Sequence, residues 1–234
     1  MKLQTLFLFS VAAIAAVLAV PSGAADPAID AGLVAVQSRD LDQLYLRPNA
    51  DVAGYRKILV DPARVAFRND FNKNKQDSLG VTHRFTADDV QRISDETAAG
   101  LQSSVADAFK SRGYEIAAAA GPGVMRLSPS VTELYINADQ TLAPGTTRAY
   151  TKEAGEATLV LEARDAVSGT LLGRVVDHRI TPENSKGSQL TDLRQTGSVT
   201  NNFWFDSTFR RWATACADAF ESSNPAKVGL DTHR

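Results

Sequence analysis

The spacing of apolar positions changes along this chain, and each spacing predicts an element. From Val90, the residues Ile93, Thr97, Leu101, Val105, Ala108 and Phe109 recur at three- and four-residue steps, the signature of a helix with one apolar face. Thr86 stands where its hydroxyl can accept from the free amides of the first turn, and Asp88 and Asp89 put carboxylates at the helix's positive end. Gly113 follows where a left-handed residue lets the chain leave the helix. Gly100 lies inside it at a cost of about 1 kcal/mol against alanine, which predicts a close backbone contact there. Near the C-terminus, Phe205, Phe209, Trp212, Ala213, Cys216 and Phe220 form a second stripe. It predicts a helix over about Val199–Phe220, with Asp206 and Arg210 paired on its surface.

Between these helices the period shortens to two. Ala157, Leu159, Leu161 and Ala163 alternate with Thr158, Val160, Glu162 and Arg164, the pattern of a strand with one buried face. Val167-Ser168-Gly169 then predicts a three-residue hairpin loop with Gly169 left-handed, and Thr170–Ile180 the returning strand. Counting outward puts Ala166 opposite Thr170, Arg164 opposite Leu172, and Glu162 opposite Arg174, where opposite charges meet. Leu159, Leu161, Leu171 and Val175 then point inward. Val160, Val176 and Leu172 form an outer apolar strip that the Leu33–Tyr45 segment or a partner must shield.

Three more strands are predicted. Tyr55–Phe67 carries the apolar run Ile58-Leu59-Val60, and Pro62 demands a bulge or an edge position beyond it. Tyr114–Ala119 is short and is closed by the turn Gly121-Pro122-Gly123. Val124–Asn137 is long, with its apolar phase on odd positions at Met125, Leu127 and Val131 and on even ones at Leu134 and Ile136. A one-residue phase change predicts a bulge between Val131 and Leu134. Asn69–Gly80 and Ala138–Gly155 read as polar connections, and residues 25–54 as an extended or partly helical lead-in. The whole predicts an α/β two-layer sandwich: a mixed or largely antiparallel sheet of about five strands with two helices on one face. It forms a single domain over 55–222, followed by a flexible tail at 223–234.

The first residues change the picture of where this domain works. Met1-Lys2 is positive, Leu6–Val20 is almost wholly apolar, and Pro21-Ser22-Gly23-Ala24-Ala25 offers small residues for cleavage. This is the pattern of a signal peptide at 1–24. The apolar run is short for a bilayer span, so an exported, periplasmic protein without a transmembrane segment after leader cleavage is expected. A net charge of −2 with no basic run leaves no footprint for nucleic acid or for anionic lipid. The one cysteine, Cys216, allows no internal disulfide and lies far from the cleavage point where lipid would be attached.

Candidate chemistry is sparse. His83, His178 and His233 lack zinc-ligand spacing. Asp177 and His178 are adjacent on a strand, so they point to opposite faces and make no acid–base pair. Cys216 sits on an apolar helix face, where a buried thiol is expected in place of a nucleophile. Gly121-Pro122-Gly123 lacks the lysine and hydroxyl of a phosphate-binding loop, and no serine stands in a nucleophile elbow. Tyr135, Tyr150, Phe203 and Trp204 are the aromatics placed to reach the surface. No catalytic, cofactor-binding or metal-binding residue is assigned. The leading expectation is a non-enzymatic module that binds an envelope protein or a cell-wall component. A hydrolase would gather several of Arg148, Tyr150, Asp165, Asp177 and His178 in a deep pocket, and a carrier of a small apolar molecule needs a cavity beneath the helices.

Leu44-Tyr45-Leu46-Arg47-Pro48, Tyr55-Arg56-Lys57 and Asp61-Pro62 resemble a bacterial envelope family catalogued as domain of unknown function 3313. So do Gly113-Tyr114, Leu134-Tyr135-Ile136-Asn137, the run from Ala154 to Leu159 and the Ser168-Gly169 hairpin. The resemblance runs from about Leu41 to Trp212. By architecture alone the two-layer sandwich looks like accessory domains of envelope assembly machines, while the family resemblance implies a Gram-negative envelope location. It supplies no reaction, ligand or catalytic residue. This chain departs from the family's lipoprotein members in having no cysteine at the cleavage site.

Overall fold

The computed structural model describes residues 31–50, 52–71, 75–76, 82–83, 85–136, 149–151, 155–181, 194–196 and 198–222. In chain order the strands are β1 (Val34–Val36), β2 (Gln43–Leu46), β3 (Lys57–Val60), β4 (Arg64–Phe67), β5 (Lys75–Gln76) and β6 (Thr82–His83). Helix α1 (Ala87–Lys110) follows, then β7 (Glu115–Ile116), β8 (Val124–Ile136), β9 (Ala149–Thr151), β10 (Gly155–Asp165), β11 (Leu171–Thr181), β12 (Arg194–Thr196) and helix α2 (Ser198–Ser222). One open mixed sheet has eight strands in the order β1-β2-β11-β10-β8-β3-β7, with β4 also paired to β8.

Eight strands stand in place of about five. Two of the additional strands come from the segment read as lead-in: β2 pairs antiparallel with β11, and β1 with β2. Strands of three and four residues are too short to show a period. A third comes from Pro62, which cannot donate to a ladder and divides the predicted Tyr55–Phe67 strand. Both halves run parallel to β8, β3 against Val124–Leu127 and β4 against Ser130–Leu134. The predicted strand at Tyr114–Ala119 shrinks to β7 at the sheet edge, held by its parallel pairing with β3. Two small ribbons, β5–β6 and β9–β12, lie outside the five predicted strands, with β5 and β9 in the segments read as polar connections. Asn137 lies outside the described residues.

The expected bulge in β8 is present. Thr158 pairs with Thr132 and Glu156 with Tyr135, so Ala157 faces two residues, and Glu133 takes a left-handed φ of 55°. The hairpin differs in detail. Gly169 is left-handed at φ 71°, but the loop has four residues, closed by Asp165 N–H donating to Thr170 O at 2.9 Å. The reason is Asp165 itself, whose carboxylate accepts the Val167 and Ser168 amides at 3.1 and 2.6 Å and adds a side-chain turn. A register shift after Ala163 then absorbs the extra residue: Arg164 faces Leu171, not Leu172, while Glu162–Arg174 and Val160–Val176 stand opposite as counted. Leu172 therefore joins the main core, and Leu171 packs with Leu33, Ala31 and Tyr45. The lead-in covers Leu171, which takes the place of Leu172 on the outer face, while Val160 and Val176 stay half-exposed there.

Helix α1 starts as its sequence requires. Asp89 N–H donates to Thr86 Oγ1 at 3.2 Å and Thr86 N–H to Asp89 Oδ2 at 3.1 Å, a reciprocal capping box. Gly113 has φ 82°. At Gly100 the close neighbours are side chains of α2: a Cβ there would lie 3.3 Å from Asp206 Oδ1 and 3.8 Å from the Phe209 ring. Asp206 is turned toward α1, and among the described residues it forms no ion pair with Arg210. Ile93, Leu101, Val105 and Phe109 of α1 and Phe205, Phe209, Trp212 and Phe220 of α2 share one cluster with the inward side chains of the sheet, including Ile58, Leu127, Leu159, Leu161 and Val175. Among the described residues no helix is long and apolar enough to cross a membrane.

Candidate functional site

Strand alternation leaves half of each long strand pointing away from that cluster. On β10 the residues Gly155, Ala157, Leu159, Leu161 and Ala163 are buried, while Glu156, Thr158, Val160, Glu162 and Arg164 are half-exposed. At the hairpin end of this outer face lies an open groove of about 610 Å³. The break at Pro62 supplies its first wall. Asp61 N–H donates to Leu127 O at 2.9 Å, and its carboxylate accepts Arg126 Nε at 2.8 and 2.9 Å and Ser128 Oγ at 2.6 Å. Arg64 opens the next strand, on the same groove. Glu162 and Arg164 form the opposite wall, joined at 3.0 Å along β10. The charge pair expected between Glu162 and Arg174 is thus replaced by one with Arg164, although Arg174 does stand opposite. The hairpin closes the end with Asp165 and Gly169.

Register places Arg126 directly opposite Arg164 on the neighbouring strand. Like charges so placed repel, and each guanidinium is drawn aside by an acid, Asp61 or Glu162. Burial pushes the Asp61 carboxyl up, but hydrogen bonds from Arg126 and Ser128 and the charges of Arg126 and Arg64 together hold it below its ordinary value. Asp61 in turn raises Arg126. Asp165 falls to about 2 through hydrogen bonds from Ser168 and from the Tyr55 hydroxyl, which lies 2.8 Å away.

A depressed folded-state pKa contributes stability that is present above the unfolded value and lost as pH falls through the folded one. For Asp165 that window runs from about 3.8 down to about 2. Asp165→Asn is expected to lower the urea midpoint at neutral pH and to flatten its fall across this window. An unchanged acid limb would place the loss on other carboxylates.

Of the other candidate residues, Asp177 and His178 are not gathered here. Asp177 is 1% exposed on the inner side, where it accepts Asp42 N–H at 3.0 Å and Arg179 Nε at 2.5 Å. Burial pushes its carboxyl up against both donors. The His178 ring is exposed on the other face, 3.3 Å from Thr158 Oγ1 and 3.8 Å from Glu156. Adjacent in sequence, the two stand apart, as a strand requires. Cys216 is fully buried, and burial raises its thiol well above the usual range. Tyr150 lies in β9 opposite Gln195. The Tyr135 ring carries the Arg68 guanidinium at 3.8 Å. Arg148 and His233, and the side chains of Tyr150, Phe203 and Trp204, lie outside the described residues. Between the helices, Ile93, Thr97, Phe205 and Phe209 border a cleft of about 110 Å³, smaller than the ~150 Å³ cavity that admits benzene. Among the described residues, no three of His, Cys, Asp or Glu are grouped to hold a metal ion. Nothing in the sequence groups the groove residues as one site, because most of them are ordinary outward positions. The signal that marks them, Arg126 facing Arg164, exists only once the β8–β10 register is known.

No curated protein matches the chain. Among solved structures it is similar to the PelC dodecamer from Paraburkholderia phytofirmans at 12% identity, covering 74% of this chain and 96% of that one with a TM-score of 0.37. It is similar to a DUF330 protein from Xanthomonas campestris at 13% identity, covering 72% and 89% with a TM-score of 0.37. A DUF4136 protein from Bacteroides thetaiotaomicron shares 9% identity, covering 83% and 96% with a TM-score of 0.33. A family model spans residues 28–203 of the sequence, three quarters of its length, and the chain belongs to that family, the proteins of unknown function DUF3313.

Proposed function

We propose that this protein is an exported, non-enzymatic binding or accessory module of the bacterial envelope. In this reading it is a two-layer sandwich whose helices cover one sheet face and whose partner, a protein or cell-wall component, meets the other. The observation that carries it is the groove between Asp61, Arg126, Glu162 and Arg164, an open and charged depression on the sheet side away from the core cluster. Its carboxylates are each held by hydrogen-bond donors of the protein itself, an arrangement suited to recognition. The apolar run Leu6–Val20 with small residues at 22–25 supports export to the periplasm, with the mature chain starting at Ala25.

Two measurements test this. Mass spectrometry of the processed protein should find an N-terminus near Ala25 without lipid, and a retained or lipidated leader would overturn the location. A photo-crosslinking residue at Ala166, on the groove, should capture a discrete partner in intact cells, while one at Arg92 on the exposed side of α1 should not. Capture from Arg92 alone would move the binding surface to the helices.

A further inference from the structure

The groove's charges balance, but its hydrogen-bonding capacity does not. Asp61 accepts from Arg126 and Ser128, Glu162 from Arg164, and Asp165 from Tyr55, Val167 and Ser168. The acids are therefore occupied. The guanidiniums are not. Each carries five N–H donors, and both bonds from Arg126 to Asp61 come from Nε alone, so among the described residues its two terminal NH₂ groups have no acceptor. Arg164 gives one bond to Gly169 O and one to Glu162, and among the described residues its Nε–H has no acceptor. Arg64 makes no hydrogen bond or ion pair among the described residues. Arg126 and Arg164 face each other across adjacent strands, a like-charge placement that costs energy and that Asp61 and Glu162 offset from the sides.

We propose that the groove binds an oxyanion, a carboxylate or phosphate group carried on a larger molecule, held between the Arg126 and Arg164 guanidiniums with Arg64 as a third donor. This rests on the reading of the groove as the binding surface. Planar forks of N–H donors match the oxygens of such groups in pairs, and a space of about 610 Å³ exceeds what one oxyanion fills. Asp61 and Glu162 then act as internal stand-ins for the ligand, holding the arginines until it arrives.

The test is a titration of the full chain, following the arginine Nε–H resonances, with inorganic phosphate, with glucuronate, and with glucose as the neutral control. Saturable shifts of Arg126 and Arg164 are expected with an anion and none with glucose. Arg126→Gln and Arg164→Gln should each weaken binding about tenfold or more, the loss of roughly one charge-assisted contact. Should Arg126→Gln disturb folding by stranding Asp61, Arg64→Gln reads the same site. Glu162→Gln should tighten binding, because it frees Arg164. Preference for phosphate or for glucuronate identifies the group on the natural ligand. Absent or non-saturable shifts, affinities equal to wild type in the arginine variants, or no gain in Glu162→Gln would overturn the site. Capture at Ala166 without anion binding would sink the oxyanion assignment alone, whereas anion binding with capture only at Arg92 would sink the surface assignment.

Discussion

Replacing Trp212 with alanine is expected to lower the unfolding free energy by about 3–5 kcal/mol, the range for truncating a large buried aromatic. Trp212 is 1% exposed in the middle of the α2 stripe and belongs to the cluster that joins both helices to the sheet. Its neighbours Phe209, Ala213 and Cys216 are also buried, so the space left by the indole has no surface side chain to fill it. The indole N–H adds a second, sharper expectation. It is buried with no hydrogen-bond partner among the described residues, and such a group carries a desolvation cost of about 1–3 kcal/mol. Trp212→Phe removes that cost along with some volume, so it should destabilise by about 1 kcal/mol or less. Urea midpoints of the two variants decide both points. An unaltered midpoint for the alanine variant would mean that the stripe does not hold the layers together, and equal losses in both would mean that the indole N–H is solvated.

The elements that were legible in the sequence are those whose signal is local. Thr86 and Asp89 lie three residues apart and close a capping box within one turn. The β8 bulge is written in a phase change over a few residues, Val131 to Leu134, and the left-handed Glu133 sits inside it. The hairpin shows where such reading stops. Gly169 is left-handed as its position requires, but the Asp165 carboxylate adds a turn residue and the shift at Ala163 removes the consequence two pairs later. A strict count cannot see either event. The short strands β1 and β2 carry too few residues for a period, and what holds them is tertiary. Arg47 Nε donates to Leu171 O at 2.6 Å, and Leu33 packs on Leu171. The groove is less legible still, since it depends on which outward residue of β8 faces which of β10. Asp177 illustrates the converse: alternation alone put it on the face opposite His178, and that is where it lies.

Gly173 should prove nearly as sensitive as the large core residues, though a glycine within a strand reads from sequence as a weak point. A Cβ at Gly173 would lie 2.7 Å from Phe220 Cε1, 2.9 Å from Phe220 Cζ and 3.0 Å from Leu46 Cδ2. Phe220 is fully buried and its ring is already 6.3 Å from that of Phe109, centroid to centroid, so it has little room to retreat. The last turns of α2 thus rest directly on the β11 backbone, and the absence of a side chain at 173 is what lets the helix end approach. Gly173→Ala is expected to cost about 1–3 kcal/mol, the range for overpacking a filled core. The cause is separable from any change in strand preference, where alanine should if anything do better than glycine. Phe220→Leu removes the ring atoms that the methyl meets. The double variant Gly173→Ala, Phe220→Leu should therefore be more stable than the sum of the two single losses predicts, with a coupling of about 0.5–3 kcal/mol. Additive losses would show that the alanine is resisted by something other than the Phe220 ring, with the Leu46 side chain the next contact to vary.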